Sequence, residues 1–417
     1  MERKIIWIIL VFYAVFLVLA PFSIDYYNSL NSRVFLDLIF LKRPVLLPWE
    51  LDWPYPPLTL LFIYPGWLLY TLTLNEFLYQ LIFKIPFLLS AVTVSYFIKE
   101  KTGSVKKMVD YLFNPAIILA AIIWGEFDVI NSLFLVLLFI LYRKKRFNLA
   151  FLSLSFAIAF RLYPLIVFPF LVLNELKNRE FLKIIKYGII SMSIPFFSMI
   201  FGWIIGGELL LKSIFIQQGI FGPFGAFPLA QTLVAVANSF GIFILNENLM
   251  ARSLIITLFF SELGLFIYLF KKKIQVTDAA VLSLLVFFLL YPKMHSPYIL
   301  VLLPVGFLYK KWRLIRYIWI PGTVWALIVN GVTGNQGLWY WFSWLSDYRF
   351  YLPHTFNLIL TVIFSFFQQV LLLLIIFKIL KGKYRLNYSG WSITMTIFLW
   401  WFILRITARM EPGISFP

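Results

Sequence analysis

The chain contains no cysteine and only two histidines, His295 and His354. A disulfide framework, a thiolate nucleophile and a Cys-based or His-rich metal site are therefore excluded. Charge is scarce as well: 13% of residues are charged, against about 25% in an ordinary soluble protein. Acids are the scarcer sign, with 18 Asp and Glu against 36 Lys and Arg. No Gly-rich phosphate loop, dinucleotide fingerprint or GxSxG elbow is present, so no motif indicates a nucleotide donor. What fills the 417 residues instead is apolar: 62% are hydrophobic and 20% aromatic. A water-soluble core of ordinary proportions cannot bury that much, which makes a secreted globular domain, a disordered chain and a nucleic-acid-binding module poor candidates. The net charge of +18 does not rescue the last of these. Most basic residues lie in short clusters between apolar runs, for which membrane topology is the simpler account. We read one polytopic all-α membrane domain over residues 1–417, with no nucleic-acid partner.

The clusters are Arg3–Lys4, Lys99–Lys107, Arg143–Arg146, Lys177–Lys186, Lys271–Lys273, Lys310–Arg316 and Lys378–Arg385. Cytoplasmic loops collect Lys and Arg, so all seven are placed inside, and an even number of spans must separate each neighbouring pair. A span needs about 20 apolar residues. The candidate runs that keep parity are roughly 5–23, 77–98, 108–124, 127–142, 147–160, 162–174, 185–206, 249–270, 277–292, 297–309, 316–332, 355–378 and 390–407. That predicts about thirteen spans in a cell membrane, with a cytoplasmic N-terminus and an outer C-terminus. The stretch Leu58–Leu74 would break parity, and Tyr64, Trp67 and Tyr70 suit an interfacial helix of the first outer loop, with a further span as the alternative. Several runs are short. Residues 147–160 make a helix of about 21 Å, ending at Arg161-Leu162-Tyr163-Pro164. Irregular backbone at membrane depth is tolerated only where protein buries it or it lines a wet cavity, so these turns predict a cavity open to the outer face.

The polar residues mapped to that cavity are the candidates for chemistry. Arg161 stands near membrane depth, where a charge costs about 2.5–3.5 kcal/mol even on the lenient scale. It is either a bidentate ligand for a lipid-linked phosphate or half of an ion pair with Glu126, Asp128 or Glu262. Lys293, in the Pro-bounded turn Tyr291–Tyr298, is a second phosphate contact or a snorkelling lysine. His295 is a hydrogen-bond donor to substrate or to its own turn. Tyr298 is a donor-site ligand or a packed aromatic, and Lys84, two turns into its helix beside Pro86, a phosphate ligand or a snorkelling residue. Asp25, directly after the first span, is the candidate general base. Glu126 and Asp128 either hold acceptor hydroxyls or a divalent ion, or cap the following helix. Trp53 and Tyr55 form an aromatic wall for a sugar or an interfacial belt.

In this order the residues resemble the GT-C superfamily of integral-membrane glycosyltransferases, and within it the GPI mannosyltransferase I family and its prokaryotic relatives. The matching segments are Asp25-Tyr26, Tyr55-Pro56-Pro57-Leu58, Lys84, Asn114-Pro115, Gly125–Asp128, Arg161–Pro164, Lys293–Tyr298 and Leu303-Pro304. They cover about 20–175 well and 285–305 moderately, which makes 1–175, with the outer loop 24–57, a catalytic module and 176–417 a variable set of C-terminal helices. The resemblance implies a GT-C-type fold and transfer of a hexose, mannose in that family, from a polyprenyl or dolichyl phosphate donor. The acceptor is a hydroxyl of a glycan or glycolipid on the outer face, reached with inversion, and the first-loop acid serves as base. The family often carries Asp-x-Asp in that loop. Here Ser23 replaces the first Asp, so a bridging Mg or Mn ion is not supported and no cofactor is assigned. The competing expectation is a transporter or flippase of a lipid-linked or polar substrate, built from broken helices meeting at the midplane.

Overall fold

The structure, a computed structural model, describes residues 2–22, 31–43, 45, 55–218, 247–272, 274–292, 296–320 and 354–380. Among these residues the chain is helical throughout, with no strand. Helix α1, Glu2–Leu19, tightens into a 3-10 turn at Ala20–Phe22, and α2, Asn31–Phe40, follows in the first connecting segment. Leu58–Thr73 forms α3, which Leu74 ends in the left-handed conformation. Asn75 then caps α4, Glu76–Thr102, by accepting from the Leu78 N–H at 3.1 Å. Gly66 brings α3 against α4, since a Cβ there would lie 3.3 Å from the Phe83 nitrogen.

The run read as one span over 108–124 is bent by 48°. Helix α5, Val105–Leu112, stops before Asn114, whose side chain caps the next turn by accepting from the Ala116 N–H at 2.9 Å. Pro115 opens α6, Pro115–Ile117, which runs on as a π-helical stretch Ile118–Trp124. The bend has an ordinary cause: proline cannot continue a helix but suits its first turn. Helices α7, Phe127–Arg143, and α8, Phe147–Phe160, then form a hairpin. The run 162–174 is likewise broken, into a 3-10 turn Tyr163–Val167, α9 (Phe168–Leu171) and α10 (Leu173–Lys177). Two long helices come next, α11 (Phe181–Gln218, broken at Gly207) and α12 (Glu247–Lys271). Helix α13, Val276–Leu290, precedes a 3-10 segment Ser296–Leu302, α14 (Leu303–Leu308), a second 3-10 segment Lys310–Tyr317 and α15 (His354–Leu380). Residues 390–407 and most of 316–332 lie outside the described residues.

Among the described residues, three helices are long and apolar enough to cross a membrane: Glu76–Thr102, Phe181–Glu208 and Leu249–Lys271; the bent pair Val105–Leu112 and Pro115–Trp124 makes a fourth if it is one span. Two of them present apolar side chains outward. Leu182 is 83% and Ile204 74% exposed on α11, and Phe259 is 64% exposed on α12. Contiguous apolar surface of this kind marks contact with lipid or another protein. Two large apolar cores lie among the described residues. One gathers Ile63, Phe83, Phe87, Phe127 and Phe160 around α4, and the other gathers Phe151, Leu154, Phe170, Leu282 and Trp312 around α8 and α13.

Basic clusters distant in sequence meet in space. Arg143 stacks over the Tyr309 ring at 3.9 Å, beside Lys310 and Lys311. Lys177 donates to the Lys272 carbonyl at 3.1 Å. Tyr142, next to Arg143, donates to the Leu171 carbonyl at 2.8 Å, which joins the two pairs at one end of the bundle. Residues of four of the seven basic clusters therefore meet at one end of the bundle.

Candidate functional site

Arg161 leaves α8 in an extended conformation, its N–H still bonded to the Ala157 carbonyl at 3.0 Å. Pro164 keeps the helix from resuming at once. The guanidinium faces the start of α7. Its Nη2 donates to Asp128 Oδ2 at 2.8 Å and to the Tyr55 hydroxyl at 3.4 Å. Glu126 Oε2 lies 3.6 Å from the same nitrogen, an ion pair longer than a hydrogen bond. The cation also lies over two rings, 4.3 Å from the Tyr55 centroid and 4.8 Å from that of Tyr298. Cation–π contacts of this kind strengthen as water is excluded. Tyr163 completes the group by donating its hydroxyl to Asp128 Oδ1 at 2.8 Å. Both Asp128 oxygens are thus occupied and the residue is fully buried, whereas Glu126 keeps some exposure.

The turn that delivers the two carboxylates depends on Gly125. It adopts φ +74°, and a Cβ there would come within 2.7 Å of the Phe83 ring. Glycine meets both demands, the left-handed backbone and the close approach. Phe127 packs on Tyr55 at 4.7 Å and on Phe87 at 5.2 Å, and Phe62 packs on Phe160 at 4.9 Å. An aromatic floor therefore lies under the charged group and excludes water from it.

Five of the ten residues picked from sequence meet here: Tyr55, Glu126, Asp128, Arg161 and Tyr298. For Arg161 the open choice of ion-pair partner resolves to Asp128 and Glu126. Glu262, on α12, has no hydrogen-bond partner for either oxygen among the described residues. Lys84 is fully buried and donates to the Ala20 carbonyl at 2.9 Å, at the end of α1, so it does not snorkel to a surface. There it satisfies a carbonyl left open where the helix terminates. Asp25, Trp53, Lys293 and His295 lie outside the described residues. Asp37, twelve residues beyond Asp25 in the sequence, accepts from Trp67 Nε1 at 2.7 Å and ties α2 to α3.

Sequence reasoning overlooked Tyr163 as a member of the site, although it stands two residues beyond Arg161. It also passed over Asn131, buried one turn beyond Asp128 and so on the same helical face. A buried amide three residues after a buried acid was the available signal. Among the described residues, no group of three or more His, Asp or Glu could hold a metal ion. Arg161 Nε has no hydrogen-bond partner among the described residues, so the guanidinium keeps donor capacity after Asp128 is satisfied.

No family model, curated protein or solved structure matches this chain.

Proposed function

We propose that the protein is an integral-membrane glycosyltransferase that moves a hexose from a polyprenyl phosphate to an acceptor hydroxyl on the outer face, through a GT-C-type fold of about thirteen spans. One observation carries the reading. A buried arginine with unused donor capacity is held by Asp128, Glu126, Tyr55 and Tyr298, at the end of α7 remote from the basic clusters. Asp128 and Arg143 are separated by about 22 Å along α7 at the usual helical rise. If the basic end is cytoplasmic, the Arg161 group faces outward.

The reaction needs little beyond positioning. The acceptor oxygen forms a bond to the anomeric carbon as the bond from that carbon to phosphate breaks, and the acceptor proton passes to a carboxylate. Asp25 is assigned as that base. Arg161 stabilises the charge developing on the departing phosphate. Asp128 and Tyr163 hold Arg161 in place, and Glu126, the more accessible acid, is assigned to an acceptor hydroxyl. Arg161 beside two carboxylates is not an anion site by itself, so the mechanism requires a second cation. Lys293 is assigned that role, with His295 donating beside it and Trp53 with Tyr55 flanking the sugar.

The test is an assay of the purified chain with dolichyl phosphate mannose and a lipid extract, read by mass spectrometry. The expected result is an acceptor heavier by one hexose, with dolichyl phosphate released. The broken helices at Asn114-Pro115 and Tyr163–Lys177 also suit a transporter. Movement of the lipid-linked sugar across a bilayer with no chemical change would establish that reading and overturn the enzyme.

A further inference from the structure

At the opposite end of α7 from Arg161 lies a cavity of about 470 Å³ lined by Arg143, Gln275, Asp278, Lys310 and Lys311, with Ile274, Leu308 and Tyr309 as its apolar wall. That volume falls in the usual range for small-molecule sites, about 300–1,000 Å³. Three cations and one acid line it, and the acid is already neutralised. Asp278 is buried; its Oδ2 accepts from Lys311 at 2.7 Å, and its Oδ1 accepts from Trp312 Nε1 at 2.9 Å. Arg143 Nη2 stands 3.9 Å from the same Oδ1, close enough for an ion pair but not a hydrogen bond.

The same contacts orient the cations. The Arg143 guanidinium carbon lies 3.9 Å from the Tyr309 ring centroid, and its Nε and Nη2 both donate to Thr277 Oγ1 at 3.3 Å. Nη1 takes part in none of these contacts. Lys310 is exposed at the rim, with no ion pair among the described residues. The cavity thus offers a pre-set guanidinium, a rim ammonium and a net positive field beside an apolar wall.

We infer that this cavity binds a phosphate group, supplied by the headgroup of an acidic phospholipid or by a soluble phosphate compound. The guanidinium fork matches phosphate oxygens, and basic pockets between helices at the cytoplasmic surface are where acidic headgroups dock. Leu308, Tyr309 and Ile274 extend the cavity with surface suited to the glycerol and first methylenes of a lipid. The site is independent of the glycosyl-transfer reading; it requires only that the basic end of the bundle meet an aqueous boundary.

The experiment follows the thermal unfolding of the full-length protein in neutral detergent. Three probes are titrated: dihexanoyl phosphatidylglycerol, dihexanoyl phosphatidylcholine and inorganic phosphate. Saturable stabilisation by phosphatidylglycerol, with none from phosphatidylcholine, is expected. In Lys310→Glu the half-saturating concentration should rise about tenfold or more, as loss of one charge-assisted contact implies. Lys310 is exposed, so this variant leaves the fold intact. Arg143→Lys, which keeps the charge but loses the fork, should also weaken the response. Stabilisation by inorganic phosphate at the same concentrations, reversed by the same variants, assigns the site to a soluble phosphate compound. An unchanged half-saturation in Lys310→Glu, or equal responses to the two lipids, overturns the site.

Discussion

The Arg161 guanidinium meets the Asp128 carboxylate at 2.8 Å, and neither residue is more than 5% exposed. A buried pair of this kind contributes little net stability, but losing one partner leaves a charge stranded in a low dielectric. Arg161→Ala is therefore expected to cost about 3–5 kcal/mol, read as a lower unfolding temperature in detergent. In the Arg161→Ala/Asp128→Ala double variant the total loss should fall short of the sum of the two single losses. Additive losses would show that the pair is uncoupled.

Arg161→Lys separates stability from chemistry. The lysine keeps a cation beside Asp128 but loses the planar contact with the Tyr55 and Tyr298 rings and the spare donors. It should fold and use the polyprenyl phosphate donor poorly, with donor affinity falling about tenfold or more. Near-normal turnover in folded Arg161→Lys would remove the phosphate role.

Gly125→Ala tests the turn. The left-handed backbone and the 2.7 Å approach to Phe83 both oppose a methyl group. A penalty of about 1–3 kcal/mol is expected for the strain alone, with loss of activity because Glu126 and Asp128 move. A variant as stable as the parent would show that the turn is not held by this glycine.

Asp25 and Asp37 both lie between α1 and α3 in the sequence and should behave differently. Asp25→Asn keeps size but cannot take a proton, so it is expected to lose about 10²–10⁴-fold in rate with donor binding retained. Asp37→Asn weakens the bond from Trp67, so its unfolding temperature should fall while turnover persists. The reverse pattern would transfer the general-base assignment to Asp37.

A cysteine-free chain suits labelling, because a single introduced thiol has no background. Lys101, exposed near the end of α4, is the position to use, since Ser104 caps α5 through Lys107. Lys101→Cys should react with an impermeant reagent from the cytoplasmic side alone. Labelling from outside would make Leu58–Thr73 a span and reverse the sides assigned to everything after it.

The helices were largely visible in the sequence. The run 147–160 predicts one helix and Phe147–Phe160 is one helix, because an apolar run bounded by a basic cluster and a Pro-containing turn has few other solutions. The breaks were less visible. Hydropathy treats 108–124, 162–174 and 297–309 as single runs, yet Asn114-Pro115, the 3-10 turn Tyr163–Val167 and the 3-10 stretch Ser296–Leu302 divide them. Hydropathy averages over a window and does not register a change in backbone hydrogen bonding within it.

Sequence alone determined that this is an apolar, basic chain, helical in its described residues and with few charges inside its apolar runs, because those properties follow from composition and local pattern. It also singled out Arg161 as a charge in need of a partner. Which partner it takes was decided by tertiary structure. Asp128 lies 33 residues away, reaching Arg161 only because α7 and α8 pack as a hairpin, and Tyr298 arrives from a different segment of the chain. The same packing commits Lys84 to the Ala20 carbonyl. Partner choice among buried charges is a matter of a few ångströms of approach between helices, and spacing along the sequence carries no record of that distance.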